Sequence, residues 1–343
     1  MAGKDDAGAR LWAMAHLATP MTIRVAATLR IADHLAKAPH TAPRLAEAVG
    51  ADEDALGRVL RHLARKGVLE RDGSGRYTLT ELGEPLRSDH PAGLCAMLDV
   101  EGAVGRAELS FVHLLHSVRT GEAAFPQQFG RTFWEDLGED AERAASFDTR
   151  MSADLAAARR ADIVSGYDWG TLDHVIDVGG GDGSLLIALL EAHPRLRGTV
   201  VDLPHAARQA RTALAEAGLA DRGDAVPGSF FEPLPAGASG YLLSSVVHDW
   251  ADDEARAILR RCAQAARPGG RVFVVERIGA DGESPGTAMD LRMLAYYGGK
   301  ERGVAELSAL AGECGLAVVA VHPAGALSIL ELAVRQGDTF PPR

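Results

Sequence analysis

Hydrophobic and polar positions divide the chain into three stretches. From residue 10 to 37, Leu11, Met14, Leu17, Met21, Val25, Leu29, Ile31 and Leu35 recur at mostly helical spacing, which predicts a helical segment more apolar than a single surface helix needs. Such a segment wants a partner. Next, Thr41 to Gly50 reads as a short capped helix ended by glycine, and Leu56, Val59, Leu60 and Leu63 line one face of a second helix. Val68 to Arg71, the turn Asp72 to Gly75, and Arg76 to Thr80 form a hairpin pattern. Helix, helix, hairpin is a winged-helix pattern, often used to bind DNA. From about 92 to 165 the pattern is helical throughout. It carries an aromatic interlude at Phe125, Phe129, Phe133 and Trp134, then Phe147 and Met151 four residues apart on one helix face.

Beyond residue 166 short β-branched runs alternate with helical ones, the signature of an α/β domain. Strands are expected at His174 to Val178, Thr199 to Asp202, Asp224 to Pro227, Tyr241 to Ser245 and Arg271 to Glu276. A closing pair near Val318 to Val321 and Ser328 to Val334 makes about seven. A helix from Asp252 to Ala266 separates the fourth and fifth strands. The expected division is 1–100 (helical, winged-helix), 101–165 (helical connector and lid) and 166–338 (α/β).

The run His174 to Ser184 reads as strand, tight glycine turn and helix start. Glycines permit positive φ and close approach of a ligand, while the N–H groups opening the helix point outward. A dinucleotide fingerprint requires Gly-x-Gly-x-x-Gly. Counting from Gly179 and Gly181 the third position is Ser184, and glycine comes one residue early at Gly183. Asp202 ends the second strand at the distance expected of a ribose-binding carboxylate. Turn and carboxylate together favour a nucleoside cofactor without a pyrophosphate, such as S-adenosylmethionine. The alternative is a glycine turn that only closes a βα unit.

Composition narrows the picture. A net charge of −11 argues against a polyanionic partner. Residues 41–87 carry equal numbers of basic and acidic residues, eight of each, although Arg58, Arg61 and Arg65 share a helix face. Binding to nucleic acid is therefore not expected. Cys95, Cys262 and Cys314 are widely spaced, which predicts reduced, mostly buried thiols and no metal site. Lys4, Asp5, Asp6 and Arg10 interrupt the first apolar pattern, and no apolar run approaches the roughly 20 residues of a membrane span. No signal peptide and no membrane association are expected, and the location expected is cytoplasmic.

Ligands gather at the carboxyl ends of strands in open α/β sheets. Ser244 to Trp250 follows the fourth strand, Glu276 ends the fifth, and Gly298 to Arg302 precedes a late helix. A histidine with converging carboxylates is a general-base arrangement, since a carboxylate fixes the ring and makes its other nitrogen basic. Less specific roles exist for each. Asp249, Asp252 and Asp253 suit a helix cap, and Glu276 could pair with Arg277 or Arg302.

The ordered series Asp177 to Gly183, Val201-Asp-Leu-Pro204, Gly228-Ser-Phe-Phe231, His248-Asp-Trp250 and Gly298 to Arg302 resembles the S-adenosylmethionine-dependent O-methyltransferases of the plant caffeate type. Leu291 to Leu294 is closer to bacterial members that methylate aromatic polyketides and related natural products. The resemblance implies a Rossmann-like, seven-stranded methyltransferase domain, with a mainly helical, winged-helix N-terminal domain that dimerises the chain instead of binding DNA. It further implies that Gly179, Gly181, Asp202 and Leu203 hold the cofactor, Ser229 and Phe230 flank its adenine, and Ser244 and Trp250 lie nearby. His248 is the implied base, bracketed by Glu276 and Glu301. Met151, Trp134, Asp249, Met293 and Tyr297 are the implied substrate wall. Many relatives have Asp where Ser229 stands, and plant members have Lys where Ser244 stands. Two alternatives stay open: a ligand-responsive winged-helix transcription regulator, and a relative diverted to hydroxylation or decarboxylation.

Overall fold

The computed structural model describes residues 7–154, 157–266, 268–279 and 282–335, with side chains of 148–157 left outside the description. Among these residues the chain packs as two units. One runs to Leu109 and includes Asp140–Phe147; the other joins Ser110–Glu139 to the residues from Asp148 onward.

The first unit contains α1 (Ala7–Ala15), α2 (Ala18–Thr28), α3 (Ile31–Lys37), β1 (His40–Thr41), α4 (Ala42–Val49), α5 (Glu53–Arg65), β2 (Leu69–Arg71), β3 (Arg76–Leu79), α6 (Leu94–Leu98) and α7 (Ala103–Glu108). The three short strands make a sheet in the order β1-β3-β2. The single helical run expected over 10–37 is three helices. The first interruption falls at residues 16–17, where Pro20, in the first turn of α2, has no N–H to give the carbonyl of His16. Arg30 takes a left-handed φ of 53° between α2 and α3, tied down by its guanidinium to Asp99 at 3.1 Å and to Cys95 Sγ at 2.7 Å. Leu45, Leu56, Leu60, Leu63 and Tyr77 form the core of this unit. Leu11, Trp12, Met14 and Leu17 remain 61–85% exposed.

The stretch expected to be helical throughout is broken into α8 (Leu114–Thr120), α9 (Phe125–Phe129), α10 (Phe133–Gly138), α11 (Ala141–Asp154) and α12 (Ala157–Gly166). Gly121 and Gly130 stop α8 and α9 in left-handed conformations, the usual glycine ending of a helix. The α/β core follows: β4 (His174–Val178), α13 (Ser184–Ala192), β5 (Arg197–Asp202), α14 (Pro204–Glu216), β6 (Gly223–Pro227), β7 (Gly240–Ser244), α15 (Asp252–Ala265), β8 (Arg271–Glu276), α16 (Thr287–Tyr297), α17 (Val304–Glu313), β9 (Leu316–Ala324) and β10 (Leu327–Val334).

The seven-stranded sheet has the order β6-β5-β4-β7-β8-β10-β9. Its first five strands are parallel, and β10 is antiparallel to both neighbours. Both faces are covered, so the strands read as nearly continuous apolar runs. Ile176, Tyr241, Val272 and Val274 meet α15 and α17 on one side, and Val175, Leu242 and Phe273 meet α13 and α14 on the other. Strand order reverses at β4 and β7. That switch point is where an open α/β sheet leaves a crevice at its carboxyl edge.

Candidate active site

The first wall of this crevice is the turn after β4. Gly179, Gly181 and Gly183 all have positive φ, the conformation that suits glycine. A Cβ on Gly180 would stand 2.5 Å from Asp177 Oδ2, whereas one on Gly181 would meet nothing within 4 Å. The turn is therefore tight below and open above. Asp202 ends β5 beside it, its Oδ2 accepting the Gly181 N–H at 2.8 Å and its Oδ1 the Leu203 N–H at 2.6 Å. Each oxygen retains a lone pair for a further donor. Asp177 is 1% exposed, and neither of its oxygens has a hydrogen-bond partner in the protein. Burial, with Asp202 and Asp182 nearby, pushes it up to about 7. A bare peptide cradle, a half-used carboxylate and a buried orphan carboxyl fit a ligand with vicinal hydroxyls and a cationic group.

Phe230 continues this wall, 3.6 Å from where a Cβ on Gly179 would stand. Its ring meets Trp250 edge-on at 5.6 Å. Ser229 turns back on its own loop, its Oγ accepting the Phe231 N–H at 3.2 Å. Ser244 ends β7 with its Oγ buried and without a partner. The following Ser245 has φ of 54°, a conformation unusual for a residue with a Cβ and concentrated at functional sites. Nothing in the sequence marks it.

After Ser245 the chain makes a tight turn over Val247–Asp249. Glu276, at the tip of β8, accepts the N–H groups of Val247 at 3.1 Å and His248 at 3.3 Å on Oε1. Its Oε2 faces His248 Nδ1 at 3.3 Å, and Glu301 Oε1 lies 3.0 Å from the same nitrogen. Glu276 is thus the anchor of the turn as well as a partner of the ring. It does not pair with Arg302, which instead meets Asp252 and the carbonyls of Val247, Trp250 and Lys300. Nor does Asp252 cap α15: it is the first helical residue, and Ala251 before it supplies no side-chain cap.

Nδ1 is committed to two carboxylates, which leaves Nε2 for a substrate. Asp249 Oδ1 stands 3.5 Å from it. Burial works against the imidazolium, but Glu276, Asp249 and Glu301 outweigh it and lift His248 to about 10. Asp249 is pushed up to about 7, burial and the two glutamates prevailing over the pull of His248. Glu276 is raised by its burial. Glu301 resists the same burial through His248, Ser284 and Arg277 and stays below its ordinary value.

The segment Gly298 to Arg302 holds the turn from the other side. Gly298 ends α16 with φ of 75°. A Cβ on Gly299 would lie 2.5 Å from the Asp249 carbonyl carbon and closer still to the His248 carbonyl oxygen. Lys300 N–H donates to that oxygen at 2.8 Å. Each residue of the segment has a separate duty: helix stop, close approach, backbone tie, ring partner and carbonyl clamp.

Aromatic side chains close one side. Thr132 and Glu135 form a capping box that starts α10 and so fixes Trp134 two residues on. Its ring lies nearly parallel to Tyr297 at 5.3 Å and to Trp250 at 6.1 Å. Met293, on α16 with Tyr297, is 5% exposed. Met151, with its neighbours Arg150 and Ser152, lies outside the described residues for its side chain.

Comparison with known proteins identifies the family. An O-methyltransferase domain matches residues 111–317, and an O-methyltransferase dimerisation domain matches residues 12–89. The chain belongs to the O-methyltransferase family. It is 55% identical over 330 residues to the 2,7-dihydroxy-5-methyl-1-naphthoate 7-O-methyltransferase of Streptomyces carzinostaticus, covering 96% of this chain and 99% of that one. It is 44% identical to the aclacinomycin 10-hydroxylase of Streptomyces purpurascens, covering 96% and 91%. Among solved structures, an O-methyltransferase from neocarzinostatin biosynthesis, in complex with S-adenosylmethionine and 2-hydroxy-5-methyl naphthoic acid, has a TM-score of 0.89. It is 55% identical, over 94% of this chain and 98% of that one. The winged-helix segment therefore matches a dimerisation module, and among the described residues no helix is long and apolar enough to cross a membrane.

Proposed function

We propose that this O-methyltransferase methylates a phenolic hydroxyl on a fused-ring aromatic natural product, with His248 as general base and S-adenosylmethionine as donor. The observation that carries the proposal is the orientation of His248. With Nδ1 facing Glu301 and Glu276, its Nε2 is the nitrogen left to take a proton. The naphthoate acceptors of the relatives support a planar bicyclic substrate, and Trp134, Trp250 and Tyr297 supply flat apolar faces for one.

The bound donor supplies an electrophilic methyl group. Gly179, Gly181, Asp177 and Asp202 would hold it, Asp202 toward the ribose hydroxyls and Asp177 toward the cationic end. Phe230 and Ser229 would flank the adenine, with Leu203, Ser244 and Trp250 around the remainder. A phenol titrates near 10, and the carboxylates around His248 raise its affinity for a proton, which favours transfer of the phenolic proton to Nε2. Glu276 and Glu301 keep the resulting imidazolium compensated. Holding acceptor and donor in line at about 3 Å converts a slow encounter into an intramolecular step worth several kcal/mol. Trp134 and its neighbours exclude water.

Residues 1–100 would pair two copies of the chain, with the exposed Leu11, Trp12, Met14 and Leu17 of α1 and its end as part of the buried surface. Residues 101–165 would act as connector and substrate lid, and 166–338 as the catalytic domain. The test is a panel of acceptors with labelled S-adenosylmethionine: hydroxynaphthoates, the same rings with hydroxyls blocked, aromatic amines and aliphatic alcohols. Label confined to compounds with a free phenolic hydroxyl is the expected result. A product that has gained oxygen instead of methyl would move the chain toward the hydroxylase relative.

A further inference from the structure

Glu301 has a second oxygen, held from the loop that precedes α16. Ser284 Oγ donates to Glu301 Oε2 at 2.9 Å, while Glu301 Oε1 faces His248 Nδ1 at 3.0 Å. The serine hydroxyl itself accepts the Gly286 N–H at 3.3 Å, which directs its proton to the carboxylate.

The placement of Ser284 is built into the loop between β8 and α16. Val304 N–H, at the start of α17, donates to Gly282 O at 2.8 Å. Gly303 lets the two strands of chain approach, because a Cβ there would stand 2.5 Å from that same oxygen. Gly279 N–H donates to Glu283 O at 2.6 Å, closing the loop on itself. On the other side of the carboxylate, Glu301 N–H is held by Asp290 Oδ1 at 2.9 Å. Glu301 is therefore fixed at its backbone and at both carboxylate oxygens.

We infer that Ser284 is a positioning residue that sets the proton affinity of His248 through Glu301, completing a relay of hydroxyl, carboxylate and imidazole. The inference rests on His248 being the base. A hydroxyl donating to a carboxylate stabilises its charged form and draws charge away from the opposite oxygen. Less charge then faces Nδ1, and the imidazolium is held less tightly than by Glu301 alone. Ser284 thus keeps the base from becoming too strong to release its proton.

The other groups facing the ring are constant in this comparison. Asp249 comes from the ring's own turn and Glu276 from β8. Tyr297 of α16 is raised well above its ordinary value by burial and by Asp249. Arg277 acts on Glu301 by its charge. Arg302 is engaged with Asp252, and Lys300 with Glu306.

The experiment titrates the full-length enzyme labelled with 15N-histidine and saturated with S-adenosylhomocysteine. The His248 resonance is identified by its loss in His248→Gln. Wild type, Ser284→Ala and Ser284→Thr are compared, and the pH profile of kcat/KM is recorded for each. Ser284→Ala should raise the His248 midpoint by roughly half a unit to one unit, the share of a charged hydrogen bond passed through the carboxylate. The acid limb of kcat/KM should move up with it, lowering the rate below the limb by about three- to tenfold. Ser284→Thr retains the hydroxyl and should restore both. A midpoint unmoved or lowered in Ser284→Ala overturns the inference, since a serine that only stabilised the loop would change stability without shifting the ring. A midpoint that moves while the kinetic limb stays fixed leaves the tuning intact and refutes His248 as the base.

Discussion

Gly299→Ala would place a methyl group 2.5 Å from the carbonyl carbon of Asp249 and 2.8 Å from its oxygen, with the His248 carbonyl oxygen nearer still. An ordinary contact between carbon and a carbonyl oxygen is about 3.3–3.6 Å, so one backbone must retreat by roughly 1 Å. Both are constrained: the turn by Glu276 and Arg302, and the Gly299 segment by the Lys300 N–H bond to His248 O and the Gly299 N–H bond to Met293 O. The displacement falls on His248. A misplacement of about 1 Å can cost on the order of 10²-fold in rate, and that is the expected loss in kcat. The nucleoside cradle of Gly179, Gly181 and Asp202 lies on other elements, so affinity for S-adenosylhomocysteine should stay within about threefold of wild type. Steady-state kinetics with a hydroxynaphthoate, beside calorimetric titration of the product nucleoside, measures both. A variant with wild-type kcat would refute the claim that this close approach positions the base.

Other substitutions read different parts of the site. Arg302→Lys replaces a buried fork that serves the carbonyls of Val247, Trp250 and Lys300 and the carboxylate of Asp252; with carbonyls left unpaired, stability should fall by about 2–3 kcal/mol, measured by chemical denaturation. Asp202→Asn removes the charge that holds the Gly181 and Leu203 N–H groups and awaits the ribose. It should weaken nucleoside binding by about 10- to 100-fold by calorimetry. The pH dependence of stability has a definite sign. His248 is lifted from 6.5 to about 10 in the folded protein, so its contribution is fully present below about 6.5 and is lost as pH rises through 10. Stability should therefore fall toward alkaline pH by up to about 1.4 kcal/mol per unit over that window, and His248→Gln should flatten that slope.

The carboxyl edge of the sheet was legible because its chemistry is local in sequence. The Gly179 turn and Asp202 sit where strand and spacing rules put them, and the structure brings them together through the Gly181 N–H. His248, Glu276 and Glu301 converge because their strands and loop open at one end of one sheet. The partners of Arg302 were not legible. A charged residue near Glu276 suggests a pair, yet Arg302 is spent on backbone carbonyls that no sequence pattern displays. Ser284 was missed for a related reason: a serine in a loop has many roles, and only the tie between Gly282 and Val304 delivers it to Glu301. The helical stretch beyond residue 92 was misjudged in length, because periodicity persists across glycine stops such as Gly121 and Gly130. Likewise the break before α2 lies with one proline, Pro20, inside an unbroken apolar pattern.

The most direct test of the account is a single-turnover measurement of methyl transfer to a hydroxynaphthoate by His248→Ala, with the enzyme saturated in S-adenosylmethionine. A rate lower than wild type by about 10²-fold or more, the range for loss of a general base, with donor affinity retained, is the predicted result. Transfer at the wild-type rate would contradict the assignment of His248 and leave the phenol to lose its proton without this histidine.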